Sequence, residues 1–406
     1  MTKYISLCYY ISGDNMLGAI IGDIAGSTYE VEEVKSLKNN EVDYERRIKI
    51  LDTDIPLFNE ESSYTDDSVL TAAIANALLT DKDYYKHLKE FGLREINLGL
   101  DKYGRSRFGK GFTEWLKGDG IGYSYGNGCA MRISPIANYY NSIDEIITET
   151  RKATFTSHCS FEAEDMSELV SICIYLCRLK KDKEFIKKYF SNLYGYRFTY
   201  SLEDLQKNYK FTSNAIDSVP QAVFCFLKSN SFEDAIRKAI SIGGDSDTIA
   251  AITGSIAEAY YGIDDELIKK AEKYLPEYII NIVNQFYMKT KGYEPFKNEL
   301  KDFFREQNLY SEEFFDFIKG KVKVLPSNTD KDWFGCFPMI DNYVLKDIRI
   351  LVPEIKRETD LLINIHEYYH ALELFNELGT IYEAKTEERE LKAKEMEKRY
   401  IKNKSI

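Results

Sequence analysis

Two short runs of acidic and hydroxyl residues stand out as groups able to do chemistry. Thr65-Asp66-Asp67 leads directly into an apolar, Ala-rich stretch (Val69, Leu70, Ala73, Ile74, Ala77, Leu78). Asp245-Ser246-Asp247-Thr248 leads into another (Ile249, Ile252, Ile256, Ala259), behind the paired glycines Gly243 and Gly244. Each run has a simple reading, since Thr and Asp cap the first amides of a helix and a carboxylate in the first turn suits the helix dipole. Capping needs one oxygen, yet each run brings several to the start of a helix too apolar to keep acids there without compensation. Buried carboxylates must be paired or metal-bound. If the two runs converge they require cations, and oxygen ligands without His or Cys select a hard ion such as Mg2+ or Mn2+ over zinc. A pair of such ions can position and acidify water, which is hydrolytic chemistry.

Other segments add to this. In the loop Ser124-Tyr125-Gly126-Asn127-Gly128 the glycines allow consecutive amide N–H groups to face a phosphate, although the same string also makes an ordinary tight turn. His158 is one of only four histidines, and two more fall in His366-Glu367-Tyr368-Tyr369-His370, an H-E-x-x-H. On a helix the i, i+4 spacing turns both imidazoles to one face, where they can bind Zn2+ with Glu367 beside them to polarise a water. The segment, preceded by the strand-like IRILV, resembles the strand-then-helix core of zincin metallopeptidases. A third ligand is then required. Glu390, followed by Leu391-Lys392-Ala393, matches the E-x-x-A pattern of gluzincin-like families, with Glu383 and Glu387 as alternatives on roughly the same face. The remaining histidine, His87, lies beside Tyr84 and Tyr85 on a charged helix and reads as incidental.

In order along the chain, MLGAIIGDIAGSTYE, YTDDSVLTAAIANALL, SYGNGCAMR, FTSHCS and SIGGDSDTIAAITGSIAEAYYG resemble the motifs of the ADP-ribosylglycohydrolase family, of the dinitrogenase-reductase-activating type, across roughly residues 16 to 287. The resemblance implies an all-α fold with two Mg2+ or Mn2+ ions at the bottom of an ADP-ribose cleft. Carried over by position, Thr65, Asp66 and Asp67 ligate from one helix start and Asp245, Asp247 and Thr248 from the other, with Asp247 bridging. Glu30 matches a family glutamate on a mobile flap near the metals and the scissile ribose. Ser124, Tyr125, Gly126, Asn127 and Gly128 become the diphosphate and ribose contact, and His158 a phosphate or ribose contact. Arg132 completes the SYGNGCAMR string or forms a structural ion pair. The implied reaction is hydrolysis at the anomeric carbon through an oxocarbenium-like transition state, with Asp67 and Glu30 as candidate proton acceptors. Some members place an extra aspartate base in the region equivalent to Arg105–Gly111. This chain has no counterpart there, which leaves the acceptor and the leaving group open.

The elements that must position these groups follow from pattern. From Met16, the apolar residues Leu17, Ile20, Ile21 and Ile24 recur with helical spacing among Gly18, Gly22, Ala25 and Gly26, small residues that permit close backbone approach. With the two stretches behind the acidic runs, this gives three expected core helices. Residues 1–15 read as an extension or a misassigned start. Near residue 290 the texture turns charged and aromatic, which sets a boundary between a helical domain (16–290) and a second unit (291–406). In that unit KVKVL and YVLKDIRILV read as strands, Thr359–Leu378 as a helix, and the Lys/Glu-rich end as a solvated helix. The fold class is therefore mainly α: an all-α domain followed by a small α+β zincin-like domain.

Composition bounds the alternatives. Of 406 residues, 44% are hydrophobic and 30% charged, which excludes a wholly disordered chain. The net charge of −12 opposes a large nucleic-acid-binding surface or an anionic membrane as partner; the partner that the family resemblance implies is an ADP-ribosylated substrate. Seven cysteines without a C-x-x-C indicate neither a disulfide framework nor a thiolate zinc site. No apolar run reaches the ~18 residues of a membrane span, and a cytoplasmic location is expected. Two rival readings stand beside the hydrolase. One is a non-catalytic ADP-ribose reader or structural relative; the other makes the C-terminal unit the chief activity, with the first domain recognising ADP-ribosylated targets.

Overall fold

Small residues determine how the helices of this chain meet. In the computed structural model, the described residues are 16–39, 44–100, 104, 106–291, 303–318, 322–325, 335–341, 344–353, 358–378, 380 and 386–404. The N-terminal fifteen residues and Glu383 lie outside them. Two units separate at Phe286/Tyr287.

Unit 1 is helical. Helix α1 (Leu17–Asn39) and the helix that follows the second acidic run, α7 (Ser246–Tyr261), pack with their backbones in direct apposition. A side chain at Gly18 would collide with the carbonyl of Gly254, one at Gly22 with the carbonyl of Ala250, and one at Gly26 with the backbone of Ser246 and Asp247. Three glycines at i, i+4 and i+8 thus make a groove that seats α7 on α1. Around this pair lie α2 (Asp66–Leu79), α3 (Tyr84–Leu98), α4 (Phe161–Arg178), α5 (Ala215–Lys228) and α6 (Phe232–Ser241), with further helices between them. The apolar residues that predict the three core helices (Ile20, Ile21, Ile24; Val69, Ile74, Ala77; Ile249, Ile252, Ile256) are all buried in one cluster.

The start of α7 depends on backbone conformation. Gly243 and Gly244 adopt φ of +74° and +75°, a left-handed pair that L side chains rarely adopt. The turn is braced by Arg47, whose Nη1 donates to the Ile242 carbonyl at 3.1 Å.

Unit 2 has a three-stranded sheet, β1 (Val322–Leu325), β2 (Gly335–Asp341) and β3 (Val344–Pro353), in the order β1-β3-β2. Strand β1 runs parallel to β3 and β2 antiparallel to it. Ile348, Ile350 and Val352 alternate into a separate core with Phe304, Phe314, Ile365, Leu372 and Met396. Helix α8 (Glu358–Asn376), which carries the H-E-x-x-H, packs on β3, and α9 (Thr386–Lys404) packs on α8. Strand β2 is not evident in the sequence. Its Gly335 and Pro338 read as strand breakers, but an edge position tolerates both.

Candidate active site

The two acidic runs meet. Thr248 Oγ1 donates to Asp67 Oδ2 at 3.2 Å, although the residues stand 181 positions apart. Asp23, Asp67 and Asp247 bring carboxylate oxygens within 4.8 Å of one another, and so do Glu30, Asp245 and Asp247; Asp247 belongs to both groups.

Asp23, which sequence reasoning missed, organises the first run. From α1 its Oδ2 accepts the amides of Thr65 (2.9 Å) and Ser68 (3.0 Å) and the Ser68 hydroxyl, while Oδ1 accepts Thr65 Oγ1 at 2.6 Å. A neighbouring helix thus supplies the carboxylate that caps α2. The available signal was an acid inside a glycine-rich helix otherwise too apolar to hold one. Thr65 itself caps α2, accepting from the Asp67 amide at 3.4 Å. At the second run the simple capping reading fails, because Asp245 occupies the N-cap of α7 without a capping bond from its side chain. That side chain turns instead to Asn127, whose Nδ2 donates to Asp245 Oδ2 at 2.8 Å.

Burial pushes the carboxyls of Asp66, Asp67 and Asp247 well above the usual range, and each is raised further by its acidic neighbours. Asp23 and Asp245 are raised by burial, against hydrogen bonds that lower them. Asp67 Oδ1 is buried and has no hydrogen-bond partner. An orphaned oxygen within a crowd of buried acids is the arrangement a divalent cation would satisfy, and the all-oxygen donor set suits Mg2+ or Mn2+.

Asp66, Asp67, Asp245 and Asp247 line a cavity of about 460 Å³, within the range of small-molecule sites. Its wall includes Glu30, Thr65, Asp66, Asp67, Asp245, Asp247, Thr248, Gly126, Asn127, Gly128 and His158. Ser124 and Tyr125 stand outside the lining. The Ser124 hydroxyl turns inward to accept the Gly126 amide, and Tyr125 is exposed with its hydroxyl 2.7 Å from that of Tyr123.

The expected cradle of consecutive amides is corrected here. The Gly126 amide is spent on Ser124 Oγ (3.1 Å) and the Asn127 amide on the Ser213 carbonyl (2.8 Å), because the loop pairs with the chain at residues 213–215. What the glycines leave uncovered is His158. A Cβ at Gly126 would lie 3.5 Å from His158 Nε2, and one at Gly128 3.2 Å from it.

The segment equivalent to the missing aspartate contributes Ser106, Arg107, Phe108 and Gly109 to the wall; Arg105 lies outside the described residues. Arg107 is fixed from behind. Its Nε is 2.9 Å from Glu95, whose side chain is fully buried on α3, its Nη1 donates to the Tyr64 carbonyl at 2.7 Å, and its guanidinium lies 4.0 Å over the Tyr64 ring. His87 is held by Asp81 and Asn76, away from the cavity.

Unit 2 holds a second convergence. His366 Nε2 and His370 Nε2 are 3.0 Å apart, and the Glu390 carboxylate reaches them at 3.5 and 3.4 Å. Glu387 is exposed, so of the described alternatives Glu390 completes the group. Glu397, one helical heptad beyond Glu390 and not singled out from sequence, lies 2.5 Å from His366 Nδ1. Burial opposes the charge on His366, but the Glu397 bond with the charges of Glu367, Glu397 and Glu390 outweighs it and raises the imidazole. Burial and the nearby His366 lower His370. Burial pushes Glu367 up to about 7 despite His366 beside it. This donor set, two imidazole nitrogens and a carboxylate, fits Zn2+.

Two acidic helix starts that share one cavity within a helical bundle make a candidate site for divalent cations. The family profile described as ADP-ribosylglycohydrolase matches residues 14–295, and the chain belongs to that family. Among curated proteins it is similar to ADP-ribosylhydrolase ARH3 of Mus musculus, 24% identical over 319 residues that cover 61% of this chain and 83% of the relative. It is also similar to ADP-ribosylarginine hydrolase Tri1 of Pseudomonas putida, 23% identical over 272 residues, 61% of this chain and 70% of the relative. A solved structure titled ADP-ribosylglycohydrolase-related protein complex aligns with a TM-score of 0.44 at 20% identity, over 68% of this chain and 98% of its own.

Proposed function

We propose that unit 1 is a metal-dependent hydrolase that removes ADP-ribose from a modified protein, nucleic acid or small molecule by cleaving the N- or O-glycosidic bond at the anomeric carbon. The meeting of Asp67 and Thr248 on a cavity that also holds Asn127 and His158 carries this reading. The activities for which ARH3 and Tri1 are named support ADP-ribosyl linkages as the substrate class.

Thr65, Asp66, Asp67, Asp245, Asp247 and Thr248 would hold two Mg2+ or Mn2+ ions, which when bound acidify water and offset charge near the ribose. Asn127 ties the loop to Asp245 and keeps the diphosphate end of the cavity in register with the carboxylates. Asp67 or Glu30 takes the proton from water as it attacks the anomeric carbon, a role to which the raised pKa of Asp67 is suited. Incubation with Mg2+ and ADP-ribosylated serine, arginine or nucleic-acid substrates tests the reading by release of free ADP-ribose. Release from none of them, with ADP-ribose still bound tightly, would favour the non-catalytic reader.

For unit 2, the reading is a Zn2+ site of metallopeptidase type, with His366, His370 and Glu390 as ligands and Glu367 as the base. The convergence of the three donors supports it. Unit 1 would then bring ADP-ribosylated targets to a peptidase. Zinc analysis of the purified chain, with H366A as control, tests the site; equal zinc in both proteins would sink it.

A further inference from the structure

Arg132 is wholly buried in the wall of the cavity, 0% exposed, and only its Nη2 has a hydrogen-bond partner, Ser157 Oγ at 2.7 Å. A guanidinium can only donate, so the Ser157 oxygen accepts. The same oxygen lies 2.8 Å from His158 Nδ1. The Ser157 hydroxyl still has its own proton to place in a buried setting, and among the described residues Nδ1 is the acceptor within reach. The direction of both bonds is then set. Arg132 donates to Ser157, Ser157 donates to Nδ1, and the ring proton must reside on Nε2.

That nitrogen is the atom facing the side-chain-free Gly126 and Gly128. Burial and the neighbouring Arg132 charge hold the imidazole well below its ordinary pKa, so the ring is neutral and its tautomer decides what it offers. With the proton on Nε2 it presents a donor to the cavity; with the proton on Nδ1 it would present a lone pair, which repels an anion. The neighbouring loop amides of Gly126 and Asn127 are already bonded, which makes this donor matter more.

We infer that Arg132 and Ser157 are positioning residues that fix His158 as its Nε2–H tautomer, so that this N–H donates to the diphosphate of the bound nucleotide. The inference rests on the ADP-ribose reading for its ligand, while the tautomer itself is independent of it.

The full chain contains four histidines, so ¹⁵N-histidine labelling gives a spectrum simple enough to assign His158 by its loss in H158Q. The expected pattern in the unliganded wild type is a protonated Nε2 and an unprotonated Nδ1. S157A should admit the other tautomer and weaken binding of ADP-ribose by about tenfold, the size of one hydrogen bond to a charged group. Its affinity for adenosine, which lacks the phosphates, should stay unchanged, and S157T, which keeps the hydroxyl, should restore both readouts. A wild-type His158 protonated on Nδ1 would overturn the inference, as would S157A binding ADP-ribose as tightly as wild type. Failure of the wild type to bind ADP-ribose would defeat the functional reading instead, with the tautomer still measurable.

Discussion

At the scale of single residues, the site is defined by acids that repel one another when no cation is bound. Asp67→Asn or Asp247→Asn should lower ADP-ribose release by about 100-fold or more. Without metal the same changes should raise the melting temperature, because each removes a buried charge. The pH dependence has a definite sign. Asp66, Asp67 and Asp247 have folded pKa values raised above the ordinary 3.8, so their contribution to stability is present below that value and lost as pH rises through the raised ones. Chelator-treated protein should therefore melt lower at pH 8 than at mildly acidic pH, and added Mg2+ should recover more stability at the higher pH. A melting temperature insensitive to both pH and Mg2+ would contradict this. In unit 2, any peptide hydrolysis should rise with pH through about 7 as Glu367 ionises. E367Q should abolish it while zinc content is retained.

At the scale of elements, the α1–α7 pair is the critical contact, because Asp23 and Asp247 face each other only if two backbones touch. Gly22→Ala would drive a methyl group into the Ala250 carbonyl. Overpacking of this kind costs about 1–3 kcal/mol or more, so G22A should melt lower and bind Mg2+ more weakly at the same time. A variant with unchanged melting temperature and unchanged Mg2+ affinity would mean the helices can slide without disturbing the site. The glycines were legible as small residues at helical spacing, but which helix they would meet was not, since periodicity describes one face and says nothing about its partner. Asp23 was missed for the same reason, its role being set by amides that belong to another helix. The loop at residues 124–128 illustrates the converse. Its glycines predicted open amides, but Ser124 Oγ takes that of Gly126 and the Ser213 carbonyl that of Asn127.

At the scale of the whole molecule, two separate cores carry two donor sets of different hardness, oxygens in one and imidazoles with a carboxylate in the other. H366A should lose zinc and leave Mg2+-dependent ADP-ribose release intact; a parallel loss of release would show that the two sites are coupled. Among the described residues no helix is long and apolar enough to cross a membrane. The helical character, the three core helices, the two acidic runs and the H-E-x-x-H could all be read from the sequence alone, because periodicity and local chemistry are encoded in near neighbours; the choice of Glu390 over Glu387 needed the structure. The sheet edge at β2, the capping of α2 by Asp23, the hold of Glu397 on His366 and the route from Arg132 to His158 Nε2 were decided only by tertiary structure. The first depends on backbone pairing with β3, and the others on side-chain directions toward other elements that packing fixes.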